Sequence, residues 1–161
     1  MIRGIHHAGL VVPDLEAAIA FYGALLDMKP VERDTWRVPS PLHDQAVGLH
    51  HSSADGVMLR GSNSYLEVWE YRSPDSHAPS PASLGANELG LRHLAIECDD
   101  VPTTWLRVQE LGGSAMGDPV SVSESGAMVV YCRDPFGTIL ELMSTGGKLA
   151  SLDDLKQGDQ A

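Results

Sequence analysis

The sequence is poor in cysteine, in basic side chains and in long apolar segments. Its two cysteines, Cys98 and Cys132, have no Cys-x-x-Cys spacing, so neither a zinc knuckle nor a dithiol redox pair is indicated. Eleven Lys and Arg side chains stand against 22 Asp and Glu, a formal charge of −11, which disfavours nucleic acids and membranes as partners. No apolar run approaches the roughly 18 residues of a membrane span, and the first residues lack the apolar segment of a signal peptide. We therefore expect a cytoplasmic protein.

The chain contains an internal repeat. Residues 7–15 (HAGLVVPDL) match residues 93–101 (HLAIECDDV) at an offset of 86, with a His at the start and an Asp near the end of each. Further on, residues 65–69 (YLEVW) match residues 139–143 (ILELM) at an offset of 74. The offsets differ by 12 residues, so the first half carries an extra segment of about that length between its two matched motifs. A repeat of this kind predicts two copies of one structural unit.

Each half predicts the same order of elements. A strand starts at the repeated His, and Asp14 and Asp100 stand where they can cap a following helix with a helical apolar pattern. In the second half, strands at 128–132 and 138–143 flank a turn of sequence DPFG, whose residues favour a tight connection. The economical interpretation is a βαβββ unit in each half.

These elements predict an α+β fold with one domain at 1–145. Its first module covers about 4–72 and its second about 90–145, joined by a linker at 73–89 that is rich in Pro, Ser and Gly. A polar tail follows at 146–161, with one or two helical turns expected near its middle.

The repeat selects two histidines. His6 and His7 are adjacent, so strand alternation predicts that they point to opposite faces of the sheet. In the second half Arg92 stands where His6 would be, whereas His93 matches His7. His7 and His93 are therefore the candidates for a shared role.

Two glutamates are selected in the same way. Glu67 and Glu70 are three residues apart and face opposite ways in a strand, and only Glu67 has a counterpart, Glu141. Both lie in the last strand of their module, whereas the matched histidines open the first. If the two modules pack as pseudo-twofold mates, all four side chains can converge.

Two imidazoles and two carboxylates suit a divalent ion such as Ni, Co, Zn, Mn or Fe. An octahedral ion with four protein ligands keeps two positions for a substrate that offers two neighbouring oxygens. Taken singly, a His at a strand start or a Glu in a strand is more often an ordinary polar residue. The recurrence in register favours the metal site, because an unpaired carboxylate within a run such as ILELM is costly to bury.

These motifs resemble those of the vicinal oxygen chelate superfamily, which includes glyoxalase I, methylmalonyl-CoA epimerase, extradiol dioxygenases and fosfomycin-resistance proteins. The resemblance spans about residues 5–145 and rests on 7–15, the Phe-Tyr pair at 21–22, GLRHLA at 90–95 and DPFGTILEL at 134–142. It implies paired βαβββ modules that form a cupped mixed sheet around a metal, usually in a homodimer. The ligands implied by motif position are His7, Glu67, His93 and Glu141.

The His-Glu-His-Glu set resembles glyoxalase I and, with a Gln usual at the second place, methylmalonyl-CoA epimerase. We therefore expect a metal-dependent isomerase, epimerase or lyase that abstracts a proton next to a carbonyl of a small molecule with vicinal oxygens. The resemblance favours Glu141 as the base, with Glu67 as its counterpart. One alternative is an extradiol-type ring-cleaving dioxygenase, which would need iron and only His7, His93 and Glu141. Another is a binding or resistance protein of the same fold without catalysis.

A substrate pocket is expected beside these ligands. The segment 36–60 contains the polar insertion with His50 and His51, for which a lid role is favoured over metal ligation. Binding of glutathione or coenzyme A would need a cluster of basic side chains, and the sequence contains no such cluster. Aromatic and methionine residues at this spacing occur in cores as often as in pockets, and the candidates for lining the pocket are Trp36, Met58, Trp69, Tyr71 and Met143.

Overall fold

The two halves of the repeat form two mixed sheets in the computed structural model, which describes residues 1–75, 80–147 and 149–157. The chain divides into two units, Met1–Ala78 and Pro79–Ala161. Both units follow the predicted order of a strand, a helix and further strands.

The first unit is a four-stranded sheet with a long helix. Its elements are β1 (His7–Val11), α1 (Leu15–Leu26), β2 (Lys29–Trp36), α2 (Pro41–Val47), β3 (Ser53–Arg60) and β4 (Tyr65–Ser73). The strand order is β1-β4-β3-β2, with β1 parallel to β4 and the other pairs antiparallel. Asp14 caps α1 by accepting a hydrogen bond from the main-chain N–H of Ala17 at 2.9 Å, as predicted.

The second unit repeats this plan with a broken second strand. After a 3-10 turn at Pro81–Ser83, the elements are β5 (His93–Glu97), α3 (Val101–Glu110), β6 (Ser114–Ala115), β7 (Val120–Ser121), β8 (Met128–Arg133), β9 (Ile139–Met143) and α4 (Leu152–Gln157). The strand order is β5-β9-β8-β6, with β5 parallel to β9, and β7 also pairs with β8. Asp100 caps α3 by accepting a hydrogen bond from the main-chain N–H of Thr103 at 2.9 Å.

Strand alternation separates the core of each unit from its candidate site. Leu66 and Val68 of β4 are at most 4% exposed, as are Leu140 and Leu142 of β9. The residues between them, including Glu67, are half-buried and lie on the other face. Each sheet therefore packs one face into its core and carries the candidate site residues on the other.

The insertion in the first half contains a helix that the sequence pattern did not predict. Residues 41–47 form α2, which begins at Pro41 and ends at Gly48 in a left-handed conformation with φ 69°. Pro in the first turn and Gly after the last are ordinary helix boundaries. The helix buries no residue, so it has no apolar stripe that would distinguish it from a polar loop.

The linker and the tail lie partly outside the described residues, which leave out 76–79, 148 and 158–161. Within the described part, the helical turns expected in the tail are present as α4. The main-chain N–H of Leu152 at its start donates to the Glu97 carboxylate at 2.7 Å.

Asp55 on β3 supports a pH-dependent prediction for stability. Its carboxylate accepts from the Thr35 hydroxyl at 2.6 Å, from Arg37 at 2.7 Å and from Arg72 at 2.8 Å. These hydrogen bonds, that from Thr35 first, hold the pKa of Asp55 far below its usual range. A depressed folded pKa contributes stability above the unfolded value of about 3.9, and this is lost as the pH falls toward the folded value.

We therefore expect Asp55→Asn to lower the free energy of unfolding by about 1–2 kcal/mol at neutral pH. Urea unfolding should show a smaller loss at about pH 2, because the carboxyl is then protonated in the unfolded chain and must give up that proton on folding. Glu32→Gln, an exposed position on β2, is the control and should change stability little. An equal loss from Asp55→Asn at both pH values would contradict the assignment.

Candidate metal and substrate site

The first unit brings His7 and Glu67 together. In the parallel pairing of β1 and β4, Glu67 is opposite Gly9, two residues after His7, so both side chains lie on one face. His7 Nε2 is 3.3 Å from Glu67 Oε2, and the two side chains are 33% and 27% exposed. A Cβ added at Gly9 would stand 3.9 Å from Glu67 Oε2, so a small residue here leaves the carboxylate room.

The second unit repeats this arrangement. Glu141 is opposite Ala95, two residues after His93, in the parallel pairing of β5 and β9. His93 Nε2 is 3.0 Å from Glu141 Oε2. Ala95, another small residue, occupies the position of Gly9. The residues that match in the sequence repeat therefore have equivalent positions in the two sheets.

The spacing within each pair fits two ligands of one ion. Two donor atoms at right angles, each about 2.1 Å from a metal, lie about 3 Å apart. Imidazole nitrogen and carboxylate oxygen are also a donor set that borderline divalent metals accept. Within the described ranges, no three His, Cys, Asp or Glu side chains are grouped to hold a metal. Each unit by itself thus supplies two ligand-type atoms.

His6 does not follow the sequence expectation. Its ring stacks on Tyr65 at a centroid distance of 5.1 Å and an angle of 8°, and its Nδ1 is 2.8 Å from Nδ1 of His7. Tyr65 shares the face of Glu67, so the prediction that His6 and His7 point to opposite faces is wrong. His6 precedes β1 and is therefore not subject to strand alternation. The contact with His6 involves Nδ1 of His7 and leaves Nε2 facing Glu67. A histidine that binds a metal commonly has such a partner on its other ring nitrogen.

Glu70, the rejected glutamate, has a structural role on the other face. It accepts a hydrogen bond from the main-chain N–H of Leu15 at 2.9 Å and pairs with Arg72 at 3.0 Å. It therefore stabilises the start of α1. The alternation argument that separated Glu67 from Glu70 holds in the structure.

Tyr131 is a site neighbour that the sequence analysis did not select. It is directly opposite Glu141 in the pairing of β8 and β9, and its ring is 5.2 Å from that of His93 at an angle of 35°. Burial raises the pKa of the Tyr131 phenol, and the charge of Glu141 and a hydrogen bond to it raise the pKa further. The DPFG turn between the two strands was the feature of the sequence that could have indicated that Tyr131 and Glu141 are paired.

The predicted pocket aromatics form a cluster on the first sheet. Trp36 contacts Trp69 at a centroid distance of 4.9 Å and Tyr71 at 5.9 Å, and it stacks on His43 of α2 at 4.6 Å. Trp36 is only 5% exposed, and its indole N–H donates to Ser52 Oγ at 2.9 Å. It therefore forms the base of the cluster, while Trp69 and Tyr71 share the face of Glu67.

Trp69 and Tyr71 have close packing on that face. The Trp69 ring lies over Gly56, where an added Cβ would be 2.2 Å from the indole. Burial raises the pKa of Tyr71, and the charge of Glu67 adds to it. These contacts hold an aromatic surface beside Glu67.

The two predicted methionines lie where strand alternation expects them. Met58 on β3 is directly opposite Glu67, and Met143 on β9 shares the face of Glu141; both are half-buried.

The histidines of the insertion lie outside the strands. His50 and His51 are exposed between α2 and β3, where the main-chain N–H of His51 donates to the Asp44 carboxylate at 2.9 Å.

Comparison with known families identifies the class of protein. A model of the Glyoxalase/Bleomycin resistance protein/Dioxygenase superfamily matches residues 4–142. The chain therefore belongs to this superfamily, and the predicted α+β fold of paired βαβββ modules is confirmed. Among the described helices, none has the length and apolar character that crossing a membrane requires.

Two curated relatives are epimerases. A 2-epi-5-epi-valiolone epimerase from an Actinomyces species is 32% identical over 147 residues, covering 87% of this chain and 78% of the relative. Methylmalonyl-CoA epimerase from human mitochondria is 26% identical over 141 residues, covering 86% of this chain and 72% of the relative.

Solved structures show the same fold at lower identity. A glyoxalase family protein from Bacillus cereus superposes with a TM-score of 0.79 at 18% identity, over 89% of this chain and 95% of that one. A fosfomycin resistance protein from Listeria monocytogenes, solved with Mn(II) and sulfate, superposes with a TM-score of 0.58 at 17% identity, over 97% and 99% of the two chains.

Proposed function

We propose that this protein is a metal-dependent epimerase, or a closely related isomerase, that removes and returns a proton on the carbon next to a carbonyl. Its substrate is a small molecule with two neighbouring oxygens. The observation that carries the proposal is the His–Glu pair present in the same strand register in both units. The two epimerase relatives support the reaction class.

His7, Glu67, His93 and Glu141 would together hold one divalent ion of the Ni, Co, Zn, Mn or Fe group. The Mn(II) in the Listeria protein supports a divalent ion of this kind. When bound, the ion supplies Lewis-acid polarisation of the substrate oxygens, which raises the acidity of the neighbouring C–H. Glu141 would accept that proton on one face of the carbon, and Glu67, its counterpart on the other side of the ion, would deliver a proton to the opposite face, which inverts the carbon.

The aromatic surface beside Glu67 supplies the binding contacts. Trp69 and Tyr71, with Met58 on the neighbouring strand, present a largely apolar wall with one phenol. Met143 does the same beside Glu141. Such a lining excludes water from the carbon that loses its proton and suits a substrate with an apolar ring or chain next to its oxygens. A homodimer and a cytoplasmic location stay predictions.

Solvent-deuterium exchange tests the reaction. Metal-loaded protein is incubated in deuterated buffer with a panel of 2-substituted carbonyl compounds that includes methylmalonyl-CoA and 2-epi-5-epi-valiolone, and the α-proton signal is followed by NMR. We expect protein-dependent loss of that signal for at least one compound and its abolition by a chelator, because the base exchanges its proton with solvent.

Two other outcomes would contradict the proposal. Oxygen-dependent ring opening of a catechol, without α-proton exchange across the panel, would assign a dioxygenase. Stoichiometric binding of a panel member without exchange or turnover would assign a binding or resistance protein.

A further inference from the structure

The two His–Glu pairs differ in the residue that stands across from the glutamate. Met58 is directly opposite Glu67, whereas Tyr131 is directly opposite Glu141. A thioether is at most a weak hydrogen-bond acceptor, but a phenol donates a strong hydrogen bond to a carboxylate. The two units therefore have the same His–Glu pair but different residues opposite the glutamate.

Tyr131 is built into the face that carries the second pair. Val130 and Cys132 on either side of it are 4% and 0% exposed on the core side of the sheet, so alternation places Tyr131 on the side of Glu141. Its ring contacts the ring of His93 at 5.2 Å. Tyr131 thus lies against the ring of His93 and directly opposite Glu141, whereas Met58 occupies the equivalent strand position in the first unit.

We propose that Tyr131 is a positioning residue: its phenol O–H donates to the Glu141 carboxylate and fixes the orientation in which Glu141 exchanges a proton with the substrate. Glu67 has no such donor across the strand. The two glutamates are consequently unequal, and Glu141 is the better oriented of the two. This inference rests on the proposed function for its catalytic consequence, while the hydrogen bond itself can be tested in the metal-free protein.

The hydrogen bond is tested without turnover. In metal-free protein labelled with ¹³C at the glutamate side-chain carboxyls, Tyr131→Phe should shift the Glu141 resonance and leave that of Glu67 in place. Ser121→Ala, which removes an exposed hydroxyl from the adjoining strand β7, is the control and should shift neither. An unchanged Glu141 resonance in Tyr131→Phe would overturn the proposal.

The catalytic consequence is tested separately in the metal-loaded enzyme. Tyr131→Phe should lower kcat about 10-fold, as loss of a hydrogen bond to a charged group does, with KM and metal content unchanged. The ratio of deuterium in recovered substrate to deuterium in product should also change. Glu141 and Glu67 exchange protons on opposite faces of the carbon, and only Glu141 loses a hydrogen bond in this variant.

The outcomes separate this inference from the proposed function. A full kcat in Tyr131→Phe, or a loss of metal that accounts for the whole effect, overturns the positioning role. Absence of exchange in the unaltered protein contradicts the proposed function instead, and the carboxyl resonance still decides whether Tyr131 holds Glu141.

Discussion

Glu141→Gln is expected to lower kcat by about 10²- to 10⁴-fold, the usual contribution of a general base. An amide has the shape of the carboxylate but accepts no proton, so the change should remove the proposed base and leave the fold intact. Glu141 is half-buried on the sheet face opposite the core, and the core residues beside it, Leu140 and Leu142, are untouched. Steady-state kinetics on the compound that exchanges its α-proton give the measurement, with circular dichroism to verify folding.

The matched changes make this result specific. Glu110→Gln alters an exposed glutamate on α3 that pairs with Arg107 and should leave kcat unchanged. Glu67→Gln should slow α-proton exchange less than Glu141→Gln, because an amide oxygen can still ligate a metal and Glu141 can still accept the proton. Full activity in Glu141→Gln would show that the base is another group.

His93→Ala should reduce the affinity for the metal by more than about 100-fold. The change removes a proposed ligand itself, and loss of an outer partner alone costs about 10- to 100-fold. It also leaves Glu141 without the imidazole 3.0 Å from its carboxylate. Metal titration monitored by calorimetry, or metal content after gel filtration, gives the measurement.

His50→Ala is the control for the metal experiment. His50 is exposed between α2 and β3, so its loss should leave the metal affinity unchanged. Loss of the ion in His50→Ala, with retention in His93→Ala, would show that the ligand set is wrong and that the insertion carries it.

The repeat explains why much of the fold was predictable. Asp14 and Asp100 cap helices at matched places, and each matched Glu is paired in register two residues beyond its matched His. Both features depend on local chemistry and strand periodicity, which a single sequence displays twice. Comparison of the two copies separates a repeated residue from its unrepeated neighbour, as it did for Glu67 and Glu70.

Features without a second copy were not predictable in this way. The helix α2 has no buried face, and His6 lies just outside its strand, so neither amphipathic pattern nor alternation applies to them. Tyr131 becomes visible only through cross-strand pairing, since it is ten residues from Glu141 along the chain. Trp36 is an aromatic residue of the predicted pocket set, but only tertiary packing shows that it forms the buried base of the cluster.

The number of metal ions bound per chain tests the central claim most directly. Mass spectrometry of the protein after reconstitution and removal of loosely bound metal should give one divalent ion per chain, if the four side chains His7, Glu67, His93 and Glu141 serve one ion as proposed. Two ions per chain would show that each His–Glu pair binds its own metal. None would show that the four side chains are not a metal site, and either result would contradict the account.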